Sequence, residues 1–293
     1  MSQTVVIVGA GGQLGMELVH RAPAAAQCIA LARSDLDISD NGAVVRRLAE
    51  IAPALVVNAA AFTGVDAAES EQRMAHAVNA AGAAHLAQAC RDLDARLIHV
   101  STDFVFDGQA SRPYPPTAPT APLGEYGRSK LAGEQAVQQV LPRALVLRTG
   151  WVYSRFGGNF VKTMLRLMAE REQLAVVDDQ VGTPTWASGL ARAIWAAAAH
   201  PQLEGILHWS DAGVCSWYDF AVAICEEAVE LGLLARPVRI RPIPASDYPT
   251  PARRPHYSVL DKTASWRELG LEGVHWRVQL RHMLKEYREM GDE

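Results

Sequence analysis

The chain has 293 residues, 49% of them hydrophobic, and a formal net charge of −4, which allows a sizeable core and exceeds one ordinary domain length. No block of basic residues occurs, so nucleic acid and anionic membrane surfaces are excluded as expected partners and a small ligand is expected. Cys28, Cys90, Cys215 and Cys225 lack C-x-x-C spacing, no run reaches the ~20 apolar residues of a membrane span, and the N-terminus enters a strand without a leader pattern; a cytoplasmic chain is expected.

Residues 4–9 (TVVIVG) form a β-branched run that stops at glycine, as a strand buried on both faces of a parallel sheet does. Gly9, Gly12 and Gly15 then follow at G-x-x-G-x-x-G spacing, ahead of the amphipathic Met16-Glu17-Leu18-Val19. Strand, glycine loop and helix in that order suit a pyrophosphate held at a helix N-terminus, with Gly9, Gly12, Gln13 and Leu14 around it; a bare structural turn is the alternative.

A second strand, Cys28–Ala32, ends in Ala32-Arg33-Ser34. No carboxylate stands there to meet ribose hydroxyls, and Arg33 can face a 2′-phosphate, so the pattern leans toward NADPH, with NADH as the other option; a solvated arginine is the plain reading. Asp37 and Ile38 are candidate adenine contacts, although Asp37 also reads as a cap or turn residue for the helix holding Val44, Val45 and Leu48.

A third strand, Leu55–Asn58, runs into Ala59, Ala60, Ala61, Phe62 and Thr63, whose mostly small side chains admit a cofactor or simply allow tight packing. A long helix from about Ser70 to Leu93, carrying Asn79, and a fourth strand over Arg96–Ser101 complete a repeated alternation. That pattern predicts a Rossmann-type α/β fold, a doubly wound parallel sheet with its ligand crevice at the strand carboxyl ends. Thr102 and Asp103 fall at that end, whereas Asp107-Gly108 reads as a turn. A proline-rich loop over 111–124 delivers Tyr126-Gly127-Arg128-Ser129-Lys130. Tyrosine and lysine four apart share a helix face, and the ammonium is expected to lower the phenol's pKa from its free value near ~10. All seven tryptophans lie beyond Thr149. The expected division is therefore 1–150 for the dinucleotide and 151–293 for a smaller C-terminal α/β substrate lobe, with helix 187–200 returning to the first half. Trp195 and Trp276 read as core, Asp178-Asp179 as a loop, and Arg253-Arg254-Pro255 as a diphosphate clamp through its guanidinium forks.

The glycine loop, the strand-end hydroxyl and Y-x-x-x-K in this order resemble the extended short-chain dehydrogenase/reductase superfamily. With NAAAFTGVDAAE (58–69), STDFVFDG (101–108), YGRSKLAGE (126–134), RTGWVY (148–153), NFVKTMLRL (159–167), DDQVGTPT (178–185) and YPTPARRP (248–255), the chain is similar to the dTDP-4-dehydrorhamnose reductase family over nearly its whole length. The resemblance implies an NAD(P)H-dependent reduction of the 4-keto group of a dTDP-6-deoxyhexulose. Tyr126 would be the acid, Lys130 would tune it and hold the nicotinamide ribose, and Thr102 would tune the phenol and bind the sugar. Asp103 and Trp151 would be further sugar contacts, and the cofactor would lie against Ala61, Phe62 and Thr63. Close relatives often carry Tyr where Phe104 stands. Some members use Mg²⁺ at a subunit contact, which leaves a homodimer open; Glu17 lies where one ligand is expected, but this sequence does not place the remaining acidic ligands, so Mg²⁺ stays an option and no metal residue is assigned. Two other readings share the scaffold. One is a nucleotide-sugar epimerase or different reductase. The other is a non-catalytic NADP-binding regulatory subunit resembling the methionine adenosyltransferase beta subunit.

Overall fold

Six strands pair in parallel throughout one sheet of the computed structural model, which describes residues 4–291. They are β1 (Thr4–Val8), β2 (Gln27–Leu31), β3 (Leu55–Asn58), β4 (Arg96–Thr102), β5 (Leu145–Thr149) and β6 (Gly205–His208). Their spatial order is β2-β1-β3-β4-β5-β6, so the winding reverses between β1 and β3 and opens a crevice at their carboxyl ends.

The apolar runs are continuous because helices cover both faces. On one face Val6, Val8, Val56 and Leu97 pack against Val44, Leu48, Leu86 and Val137; on the other, Val5, Ile7, Val57 and Ile98 pack against Leu14, Leu18, Leu190 and Ile194. The helix Ala187–Ala199 thus packs beside Gln13–His20, and the Trp195 indole donates to the Leu18 carbonyl at 3.1 Å. Beyond residue 150 the chain serves both layers. Gly205–His208 adds an unanticipated sixth strand to the sheet. A second core gathers Tyr153, Val161, Met164, Trp186, Phe220, Leu280 and Met283 around the parallel pair Gln173–Val177 and Arg239–Ile243.

The single helix expected over Ser70–Leu93 is instead broken. Short helices at Val65–Ser70 and Gln72–His76 lead into a π turn at Ala77–Gly82 before Ala83–Asp92 continues. The widened turn carries the buried Asn79, whose amide bonds outward to another element, and an inserted residue of this kind characteristically marks a working site.

Candidate active site

Each glycine of the loop has a separate steric reason. Gly9 has φ +81° and lies so close to Ala60 that a Cβ would sit 2.5 Å from its nitrogen. Gly15 lets the helix Gln13–His20 press on the strand end, since a Cβ would meet the Gly9 carbonyl at 2.2 Å. Gly12 is different: a Cβ there would touch only the Gly9 oxygen at 3.4 Å, so its open side is left for a ligand at the helix N-terminus. Gly12, Gln13 and Leu14 face one cleft of about 690 Å³ together with Thr102, Tyr126 and Lys130. On the other side of the same loop, a cavity of about 580 Å³ is lined by Gly9, Arg33, Asp37, Ile38, Ala61, Phe62 and Thr63 among others. The two cavities share Gly11, Gly12, Ala59, Ala61 and Thr63, so they join into one groove across the glycine loop.

At the outer end Arg33 is exposed on the rim. Asp35 folds back to accept from the Ala32 N–H at 2.9 Å and is not among the lining residues, which leaves Asp37 as the carboxylate that shares this part of the groove with Arg33. Asp37 lines the groove, but its carboxylate is held in a turn by the Ser39 N–H at 2.9 Å and hydroxyl at 2.7 Å, bonds that keep it below the usual carboxylate range. The helix cap at this point is Asp40.

At the inner end β4 delivers Thr102 and Asp103, and the helix Glu125–Val140 delivers Tyr126 and Lys130. Close approach of that helix depends on two glycines: a Cβ on Gly127 would strike the Phe104 carbonyl at 2.3 Å, and one on Gly133 the Asn79 carbonyl at 2.0 Å. Glu69 accepts from the Glu125 N–H at 2.8 Å, a carboxylate at a helix N-terminus, where the backbone dipole favours it. Asn79 ties the parts together. It accepts from the Phe62 N–H at 2.8 Å and donates to the Phe62 carbonyl at 3.1 Å and the Ser129 hydroxyl at 2.9 Å. The loop after β3 and the helix Glu125–Val140 are thereby fixed to one another.

The electrostatics correct one expectation. Lys130 donates to the Val100 carbonyl at 2.7 Å, and burial pushes its pKa down to about 8 against the upward pull of Glu134. Burial pushes the Tyr126 phenol up to about 12; the Thr102 hydroxyl pulls it down and the Asp103 charge raises it further. Lys130 therefore does not produce a low phenol pKa in this geometry, and Tyr126 holds its proton throughout the neutral range. Asp103 itself is pushed up to about 6 by burial, opposed by bonds from Ser258 and Thr102, and the Thr102 hydroxyl donates to it at 3.1 Å. Gly150 makes room for this carboxylate, since a Cβ would sit 2.5 Å from it. The Phe104 ring meets Tyr126 edge-on at 5.6 Å and offers no hydroxyl.

On the far wall Trp151 adopts φ +51°, a strained backbone for a bulky residue and a pattern concentrated at functional sites. Its indole stacks on Trp217 at 3.5 Å and 1° and lies over Gly182. Trp217 separates the cleft from a further cavity of about 830 Å³ between the helix Phe160–Glu170 and the strand pair, and Arg254 borders both. The Arg254 guanidinium is already engaged, with Asp66 at 3.0 and 2.8 Å. Sequence reasoning did not single out Asn79, Trp217 or the strap Gly157-Gly158-Asn159, where Asn159 donates to the Gln13 side chain at 2.9 Å.

Glu17, the residue considered for Mg²⁺, is fully buried, accepts from Ser154 at 2.8 Å and pairs with Arg21 at 3.3 Å. Among the described residues no group of three or more His, Cys, Asp or Glu could hold a metal ion. Within this chain Glu17 has Ser154 and the Arg21 guanidinium as its partners, and a cation beside it would face the positive charge of Arg21. No helix in the described residues is long and apolar enough to cross a membrane.

A family model described as the RmlD substrate binding domain matches residues 3–289. The dTDP-4-dehydrorhamnose reductase of Mycobacterium tuberculosis H37Rv is 46% identical over 286 residues, covering 95% of this chain and 91% of the relative. That of Escherichia coli K12 is 40% identical over 290 residues, covering 96% and 97%. The crystal structure of the dTDP-4-dehydrorhamnose reductase of Bacillus anthracis in complex with NADP superposes with a TM-score of 0.92 at 35% identity, covering 98% of this chain and all of that one. A glycine-loop groove leading to Thr102, Tyr126 and Lys130 and a match of this extent agree: the chain belongs to the dTDP-4-dehydrorhamnose reductase family.

Proposed function

We propose that the chain reduces the 4-keto group of dTDP-4-dehydro-6-deoxy-L-mannose to give dTDP-L-rhamnose, using NADPH in preference to NADH. The observation that carries this reading is the placement of Tyr126, with Thr102 and Lys130, in the groove that begins at the glycine loop. Gly12, Gln13 and Leu14 would hold the pyrophosphate, Asp37, Ile38, Ala61, Phe62 and Thr63 the adenosine half, and Lys130 the nicotinamide ribose. The reduced nicotinamide supplies the hydride. Residues 1–150 would serve mainly the dinucleotide and the second core the sugar nucleotide.

The chain's own part is proton delivery and orientation. Tyr126 gives its phenolic proton to the oxygen that becomes the new hydroxyl, Thr102 and Asp103 orient that oxygen, and Lys130, one helical turn on and lining the same cleft, is the cation assigned to balance the phenolate left behind. Dehydration would need a second acid beside Asp103, and Phe104 occupies the next position. Addition of the ketosugar with NADPH should consume the nicotinamide absorbance. Cofactor binding without consumption would favour the regulatory-subunit reading.

Two further outcomes are expected. Lys130→Met should lower turnover about a hundredfold or more and weaken cofactor binding, and wild-type activity should fall as pH rises through about 8, where Lys130 loses its charge. Unchanged cofactor affinity in the variant removes the ribose role. Arg33→Ala should erase a preference for NADPH of about tenfold, the lower end for a charge-assisted contact on an exposed rim. The ratio of kcat/KM for the two cofactors measures it, and a wild-type ratio at or below one means that Arg33 points to solvent.

A further inference from the structure

We infer that Asp66 is a positioning residue that aims Arg254 at the diphosphate of the sugar nucleotide, an inference that rests on the reductase reading above. Arg254 borders both the catalytic cleft and the cavity beyond Trp217, so it stands where a ligand spanning the two must pass. Its bonds are distributed unevenly. Nη1 donates to Asp66 Oδ1 at 3.0 Å, to Thr250 Oγ1 at 2.5 Å and to the Ala252 carbonyl at 3.2 Å, whereas Nη2 makes one bond, to Asp66 Oδ2 at 2.8 Å. Nε makes no bond within the described residues. Asp66 therefore takes the end of the guanidinium and leaves the side edge, Nε–H with the second Nη2 hydrogen, as a free parallel fork. That fork matches two oxygens of a phosphate group. Asp66 also accepts from the Ala252 N–H at 3.1 Å, so one carboxylate fixes both the arginine and its loop. It stands in the first turn of the helix Val65–Ser70, three residues after Thr63 of the groove beside the glycine loop, and its partners lie 186 and 188 residues away. The bond from Arg254 lowers the pKa of the Asp66 carboxyl, in keeping with an ion pair between them.

The test is a double-mutant cycle on the full chain, reading KM and kcat for the ketosugar with saturating NADPH and the Kd of free dTDP by calorimetry. Asp66→Asn should raise KM and the dTDP Kd by about tenfold, with the loss on KM rather than kcat, because half of a bidentate pair is removed and the fork is no longer held. In an Arg254→Ala background the same substitution should change the dTDP Kd less than twofold. A role confined to holding the loop would weaken dTDP equally in both backgrounds, and that result overturns the inference. So does tighter dTDP binding by Asp66→Asn, which would mean that Asp66 competes with the ligand. If Asp66→Asn fails to fold, Asp66→Glu, which keeps the charge at a longer reach, carries the same cycle. Wild-type protein that binds no dTDP and turns over no ketosugar would instead sink the reductase reading itself.

Discussion

Tyr126→Phe should lower kcat by about a hundred- to ten-thousand-fold, the usual worth of a positioned general acid, and leave cofactor affinity near wild type. The phenol is pushed up to about 12 chiefly by burial, so at neutral pH the group that must give a proton always carries one. A high phenol pKa suits reduction, because the developing alkoxide is a stronger base still and transfer to it remains downhill. The substitution removes one oxygen and keeps the ring against Phe104, whose edge-on contact at 5.6 Å fixes the aromatic wall. Single-turnover rates with saturating NADPH measure the effect. A variant that retained more than about a tenth of the wild-type rate would show that the proton comes from elsewhere, with Asp103, pushed up to about 6, the next group in reach.

What the sequence disclosed and what it hid divide along contact distance. The glycine loop, β1, β3 and the Y-x-x-x-K face were legible because each depends on neighbours within one turn or strand, where φ, spacing and side-chain size act directly. The position of Thr102 and Asp103 followed from strand-end logic alone. Asn79 was visible only as a polar residue among alanines, since its partners Phe62 and Ser129 lie 17 and 50 residues away and a π turn has no distinct sequence period. Gly205–His208 escaped because GILH has only two apolar residues between a glycine and a histidine and no β-branched run like the LVV of β3. Arg254 borders the cleft, yet nothing in its local sequence reveals that Asp66 already occupies one end of it. Lys130 taught the reverse lesson. Helical spacing put it on the face of Tyr126, but only the fold could show its ammonium bonded to the Val100 carbonyl, with burial setting both pKa values.

The second large effect concerns the buried pair that anchors the catalytic helix. Arg148 on β5 donates to Glu134 through Nε at 2.9 and 3.2 Å and through Nη2 at 2.7 Å, with side-chain exposures of 3% and 2%. Glu134→Ala leaves a guanidinium in the interior with the Pro116 carbonyl at 3.3 Å and the face of Phe106 as its neighbours. Breaking such a pair costs about 3–5 kcal/mol, mostly the penalty of an uncompensated buried charge, and urea unfolding should show it as a lower midpoint at unchanged slope. Replacing both partners, Glu134→Leu with Arg148→Met, should recover most of that loss, because the charges and their desolvation disappear together. A loss below about 1 kcal/mol in the single variant would mean that water reaches Arg148. The same carboxylate lies one turn from Lys130 and is the charge that raises its pKa. The milder Glu134→Gln should therefore shift the basic limb of the activity profile to lower pH than in wild type, as Lys130 gives up its proton sooner. If the limb stays in place while stability falls, Glu134 anchors the helix but does not tune the lysine.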